Sequence, residues 1–167
     1  MDYLIPETPE AVVATGANHF NGYEDMAYLT IYFPRNVIAN INVNWLSPVK
    51  IRTTLIGGEK KMLVWNDLEP DEKIKIYDKR VEVPPHYDTF GEFHYAYHYG
   101  DIYIPHINQE EPLKTECQHF LDCIKSGEKS LTSGEKGLEV VRILEASSES
   151  LKQNGAPIKF NNGWQDP

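Results

Sequence analysis

The residues best equipped for chemistry in this sequence lie in one short stretch, Trp45-Leu46-Ser47-Pro48-Val49-Lys50-Ile51-Arg52. Lys50 and Arg52 are two apart, so on an extended backbone both cations project to one side. A guanidinium offers a planar fork of donors that matches a carboxylate or phosphate, and an ammonium adds a compact point charge. Beside an indole, such a pair can hold an anionic group while an apolar ring rests on the Trp. The same residues also read as a solvated hairpin, because 16 Lys and Arg stand among 25 Asp and Glu.

Other reactive side chains are less well placed. His94 and His98 are four apart, but Tyr and Gly around them argue against a helix that would present both, and no Cys-x-x-Cys or carboxylate cluster completes a metal site. Cys117 and Cys123 are six apart in what reads as one helix, so they face different ways and are expected to be free structural thiols. No Gly-x-Ser-x-Gly elbow, Gly-x-Gly-x-x-Gly fingerprint or phosphate-binding Gly-x-x-x-x-Gly-Lys occurs.

The elements that would position these residues follow from hydrophobic period. Up to about residue 106 the pattern has a period of two, and beyond Pro112 it is helical. Strands are expected at Ala11–His19, Asp25–Phe33, Val37–Leu46, Val49–Gly57 and Lys60–Asn66, with a weaker one at Glu72–Asp78. The breaks Asn21-Gly22, Pro34-Arg35-Asn36, Ser47-Pro48 and Gly57-Gly58 are turn chemistry. Links this short suit an antiparallel meander, because a parallel crossover needs a dozen or more residues.

Alternation then assigns two faces. Ala27, Leu29, Ile31 and Phe33 oppose Tyr28, Thr30 and Tyr32. Val37, Ala39, Ile41, Val43 and Trp45 oppose Asn40, Asn42 and Asn44. The aliphatic side is the expected core. The Tyr, Thr and Asn side suits either a protein or sugar contact or a wet face rich in strand formers. Residues from Pro84 to Pro105 hold many Tyr, Phe and His and are expected to form an irregular binding loop or a subunit contact.

A first helix is expected from Glu111-Pro112 to Ser126-Gly127, with Leu113, Cys117, Phe120, Leu121 and Ile124 on its apolar stripe. A second runs from a capping box, Thr132-Ser133-Gly134-Glu135, to Asn154-Gly155. Its seam is expected at Val140, Leu144, Ser147 and Leu151. Residues Pro157–Phe160 are a candidate edge strand. The fold class is therefore α+β, an open-faced and mostly antiparallel sheet with amphipathic helices on one face.

Bulk properties remove several functions. The chain has 167 residues and a net charge of −9, which disfavours binding to a nucleic-acid backbone. No apolar run approaches the roughly 18 residues of a membrane span, and Met1–Pro6 does not resemble a secretion signal. A cytoplasmic location with reduced thiols is expected.

The order of several segments resembles the C-terminal domain of the Gfo/Idh/MocA family of NAD(P)-dependent oxidoreductases. The resemblance rests on Asn44 to Arg52, Ile56-Gly57-Gly58, Lys61 to Val64, Gly100 to Pro105 with Glu111-Pro112-Leu113, and His119-Phe120-Leu121. It continues through Gly137 to Ala146, Ser150 and Asn154-Gly155. It covers residues 1–160 and leaves 161–167 as a tail. The pattern is closest to members acting on sugars or nucleotide-linked sugars.

The resemblance implies a domain that supplies part of a substrate pocket and oligomerises through its open sheet face. It implies NAD or NADP in the intact enzyme and no cofactor bound by this chain alone. The family's N-terminal Rossmann domain has no counterpart in these residues. The family's catalytic histidine is expected just upstream of Met1, so no catalytic role passes to His19 or His119. Expected substrate contacts are Trp45, Lys50, Arg52 and Tyr103. Expected partners are a sugar or nucleotide-sugar substrate, a second copy through Tyr28, Thr30, Tyr32, Asn40, Asn42 and Asn44, and a separate Rossmann-domain chain. The rival expectation is a non-catalytic sugar-binding or assembly module.

Overall fold

The computed structural model describes residues 4–82 and 96–160. The expected tail 161–167, together with His86, Tyr87, Phe90, Phe93, His94 and Tyr95 of the aromatic segment, lies outside the described residues. The elements run β1 (Ala11–Ala17), β2 (Met26–Phe33), a 3-10 turn (Pro34–Asn36), β3 (Val37–Asn44), β4 (Thr53–Gly57), β5 (Met62–Asn66), β6 (Ile74–Glu82), β7 (Ala96–Tyr103), α1 (Pro112–Ser126), α2 (Gly134–Lys152) and β8 (Ile158–Lys159). The class is α+β and all described strand pairs are antiparallel.

The strands form two four-stranded sheets, β3-β2-β1-β8 and β4-β5-β6-β7, where the alternation had suggested one continuous meander. The division falls at Ser47-Pro48. The Asn44 side chain accepts the Leu46 N–H at 2.7 Å, which closes a turn at the end of β3. Pro48 has no N–H for a ladder. The chain forms two compact units, Met1–Pro48 with Glu116–Pro167, and Val49–Thr115.

In the first unit, tight links set the register. The Asp25 carboxylate accepts the His19 N–H at 2.8 Å and meets His19 Nδ1 at 2.7 Å, closing the β1–β2 link. The His19 hydrogen bond holds the Asp25 carboxyl below the usual carboxylate range. Arg35 and Asn36 take φ of 59° and 60°, the left-handed turn that joins β2 to β3. Val12 then faces Ile31 and Ala14 faces Leu29, so one face is aliphatic as alternation requires. Val12, Ile31 and Phe33 form the buried core, with Ile5, Ala39, Ile41, Ile143, Ala146, Ile158 and Phe160 against it.

Helix α2 covers β1 and β8. Its buried face keeps Ser147 and the half-buried Leu151 of the expected seam but departs from it at Val140 and Leu144. Ser147 and Ser150 are buried, and Ile143 and Ala146 pack on the core, whereas Val140 and Leu144 remain 50% and 56% exposed. The cause is Ser150, whose hydroxyl accepts the Ala14 N–H at 2.9 Å and donates to the Ala156 carbonyl at 2.7 Å. Each of these bonds satisfies a buried polar group that would be costly to leave unpaired, so they hold this face of the helix toward β1. The N-cap is Ser133, not Thr132, and Glu135 turns back to it. That contact, with Lys129 nearby, pulls the Glu135 carboxyl down to about 2. At the other end Gly155, at φ 85°, donates its N–H to the Ser150 carbonyl at 2.8 Å, the expected glycine stop.

Helix α1 has the expected bounds, and Glu111 caps it by accepting the N–H groups of Leu113 and Lys114 at 3.3 and 2.6 Å. Its apolar stripe is not buried: Leu113, Phe120, Leu121 and Ile124 are 48–66% exposed.

In the second unit, Gly58 N–H to the Lys61 carbonyl at 2.9 Å closes the β4–β5 hairpin. Ile56, Leu63, Ile76 and Tyr103 form one row across all four strands. No described residue of this unit is buried. Strand β7 falls in the segment expected to be irregular. Its period breaks at Gly100-Asp101, where the ladder shifts register opposite Asp78. Gly100 lies so close to Asp78 that a Cβ would come within 2.5 Å of its carboxylate.

Candidate functional site

Residues 45–52 form a connection between the sheets with no regular structure. Trp45 follows β3 and is 89% exposed, with its N–H donated to the Asp25 carbonyl at 2.8 Å. The indole is thus anchored through its backbone and free at its ring.

Lys50 and Arg52 precede β4 and lie on no strand, which corrects the expectation that a hairpin would align them on one sheet face. Arg52 is nevertheless positioned. Its Nη1 lies 3.4 Å from Asp67 Oδ2, and its carbonyl accepts the Asp67 N–H at 2.9 Å. Lys73 Nζ stands 3.5 Å from the other Asp67 oxygen. Asp67 therefore orients the guanidinium while sharing its own charge with Lys73. Both Lys50 and Arg52 are exposed, so an anion there would be held by screened charge and geometry together.

Tyr103 ends β7 and is exposed. It sits on the edge of the second sheet opposite the one that Arg52 leads into, three strand spacings or roughly 14 Å away. Within this unit a single small group does not touch both residues; an extended ligand is needed. Trp45 belongs to the first unit. Sequence reasoning missed Asp67, and its signal was a turn pair, Asn66-Asp67, directly after an apolar strand. His98, weighed above as a ligand, bonds Asp78 at 3.3 Å. Among the described residues no group of three or more His, Cys, Asp or Glu is placed to hold a metal.

The second candidate surface is the polar face of the first sheet. The register puts Tyr28 opposite Asn42 and Thr30 opposite Asn40, and Thr30 Oγ1 donates to Asn40 Oδ1 at 3.0 Å. Tyr32 instead faces Ile38, and Asn44 faces Met26. Ala11, Val13 and Thr15 extend the same face on β1. It is a mixed face with exposed Tyr28, Tyr32 and Ile38, more apolar than the Asn alternation alone implied.

The described residues do not fit a dinucleotide. Such a site needs a strand, a glycine turn and free N–H groups at a helix start. Here the Glu111 carboxylate occupies the first N–H groups of α1, Glu135 puts an anion in the first turn of α2, and no strand runs directly into either helix. No described helix is long and apolar enough to cross a membrane.

A family model described as "Oxidoreductase family, C-terminal alpha/beta domain" matches residues 1–160. No curated protein sequence matches the chain. Among solved structures, UDP-N-acetylglucosamine 3-dehydrogenase from Acidithiobacillus ferrooxidans aligns with a TM-score of 0.74 at 15% identity, over 92% of this chain and 43% of that one. Aldose-aldose oxidoreductase from Caulobacter crescentus, complexed with glycerol, aligns at 0.70 and 18% identity, over 95% and 43%. The WlbA dehydrogenase from Bordetella pertussis, in complex with NADH and UDP-GlcNAcA, aligns at 0.62 and 18%, over 96% and 41%. At these identities the likeness concerns the fold, and the chain spans less than half the length of each of these structures.

Proposed function

The chain belongs to this oxidoreductase family as its C-terminal α/β domain, and from that premise we propose that it is the substrate-binding and self-associating part of an NAD(P)-dependent sugar or nucleotide-sugar dehydrogenase. The observation that supports this reading best is the alignment of nearly the whole chain with less than half of enzymes whose names specify UDP-N-acetylglucosamine or aldoses. The nicotinamide cofactor would supply hydride transfer from elsewhere in the intact enzyme. This chain's own part is to bind and orient. In this reading Arg52, aligned by Asp67, and Lys50 pair with an anionic group such as a diphosphate. Tyr103, on the other edge of the same sheet, offers a hydroxyl to an extended ligand; Trp45, in the first unit, offers an exposed ring of its own. The polar face of the first sheet brings two copies together, with Tyr28 and Tyr32 supplying area at small entropic cost.

The test is calorimetric titration of the full chain with UDP-N-acetylglucosamine. Weak, salt-sensitive binding is expected, and Arg52→Ala should weaken it at least tenfold. Asp67→Asn should weaken it less, because the cation remains while its alignment is lost. Binding that is undiminished in Arg52→Ala would overturn the site assignment.

A further inference from the structure

The link between β1 and β2 holds an imidazole in a fixed orientation. His19 Nδ1 lies 2.7 Å from Asp25 Oδ1, and the other Asp25 oxygen accepts the His19 N–H at 2.8 Å. The Asp25 side chain is 13% exposed and that of His19 48%. An ionised carboxylate only accepts, so the proton of a neutral imidazole belongs on Nδ1. Nε2 is left as an open acceptor, with no partner among the described residues. The link is also braced: Gly22 donates its N–H to Asn18 Oδ1 at 3.3 Å, and Asp25 donates its N–H to the Ala17 carbonyl at 3.0 Å.

Register brings Trp45 to the same place. Met26 pairs with Asn44 at the end of the β2–β3 ladder, and the Trp45 N–H donates to the Asp25 carbonyl at 2.8 Å, which continues the ladder by one pair. Residues directly opposite send their side chains to one face, with Cβ atoms roughly 5 Å apart. The exposed indole thus stands beside the carboxylate that orients His19. All of these residues lie within the first unit.

We propose that Trp45 and His19 form a subsite for a neutral pyranose, whose C–H face stacks on the indole while one ring hydroxyl donates to His19 Nε2. A flat apolar surface with one fixed acceptor suits a ring that is apolar on its face and polar at its edge. Asp25 acts through the imidazole and is a positioning residue. Charge favours the neutral ligand over an anion, because residues 1–34 contain no Lys or Arg while Glu24 and Asp25 stand in the link itself. The proposal rests on the reading that the substrate is a sugar, and it assigns the sugar ring, not the anionic group, to the first unit.

The test is a heteronuclear NMR titration of the full chain with N-acetylglucosamine, and separately with uridine and with tetramethylammonium. The Trp45 indole and His19 imidazole signals should move together on adding the sugar, saturating with a dissociation constant of roughly 1–50 mM. The imidazole nitrogen shifts should place the proton on Nδ1 before sugar is added, and Nε2 should respond most. Trp45→Ala and His19→Phe should each weaken binding at least tenfold, with the amide spectrum of the α2 and β1 residues unchanged as the check on folding. Undiminished binding in either variant, no shift at about 100 mM sugar, or uridine or tetramethylammonium moving the same signals at lower concentration would each overturn the proposal. Two failures remain distinct. If Arg52→Ala weakens binding of UDP-N-acetylglucosamine but Trp45→Ala and His19→Phe do not, the subsite is wrong and the anion site stands; if neither the sugar nor the nucleotide sugar binds, the sugar reading itself falls.

Discussion

Ser150→Ala tests whether one buried hydroxyl sets the rotation of α2. Ser150 is fully buried in the first unit. Strand β8 pairs with β1 only at Ala11 and Val12, so the Ala14 N–H lies past the end of that ladder and finds the Ser150 oxygen at 2.9 Å instead. The same oxygen donates to the Ala156 carbonyl at 2.7 Å, in the turn that leads into β8. Alanine removes one oxygen, leaves a cavity too small for water, and orphans one donor and one acceptor. At about 1–3 kcal/mol for each unsatisfied buried group, the cost should be about 2–6 kcal/mol. With a urea slope of about 2 kcal/mol/M, the midpoint should fall by roughly 1–3 M at an unchanged slope. Ser148→Ala is the matched control, because the exposed Ser148 hydroxyl donates only within the helix, to the Leu144 carbonyl at 2.9 Å. It should cost less than about 0.5 kcal/mol. Hydrogen exchange gives a second readout, since the Ala14 amide should lose protection selectively. A loss below about 1 kcal/mol for Ser150→Ala would refute the account, and apolar contacts alone would then set the seam.

Two further outcomes follow from the helix termini. Glu135 has a carboxyl pulled down to about 2 from 4.5, so its ionised form is favoured in the folded state; its contribution is present above pH 4.5 and is lost as pH falls toward 2. The thermal midpoint of Glu135→Gln should lie below that of the native chain at pH 6, the two should converge near pH 2–3, and a difference independent of pH would exclude ionisation as the cause. NADH titrated into the full chain should give no dissociation constant below about 100 μM, equivalent to roughly −5.5 kcal/mol, because both helix starts carry carboxylates; tighter binding by calorimetry would contradict that reading.

What the sequence determined is what depends on neighbours along the chain. The strands β1 to β5 lie within the expected runs because side-chain period and turn residues act over a few positions. The pairing of Tyr28 with Asn42 and of Thr30 with Asn40 on one face follows from the same period across a short link. The glycine stops at Gly127 and Gly155 need only local φ. For the candidate site, the cations at Lys50 and Arg52 and the open ring at Trp45 were visible as residue types at a spacing.

Tertiary structure decided the rest, because it turned on groups distant in sequence. Ser150 reads as polar, yet it is buried because a strand amide 136 positions away needs an acceptor. Asp67, 15 positions from Arg52, aligns that guanidinium, and no pattern links the two. Strand β7 was hidden because Gly100 interrupts its alternation, and only the close approach of Asp78 explains the glycine. The stripe of α1 shows the limit most plainly. Periodicity specifies that a helix has an apolar face, but what covers that face depends on a surface elsewhere, since burial is a property of the pair in contact.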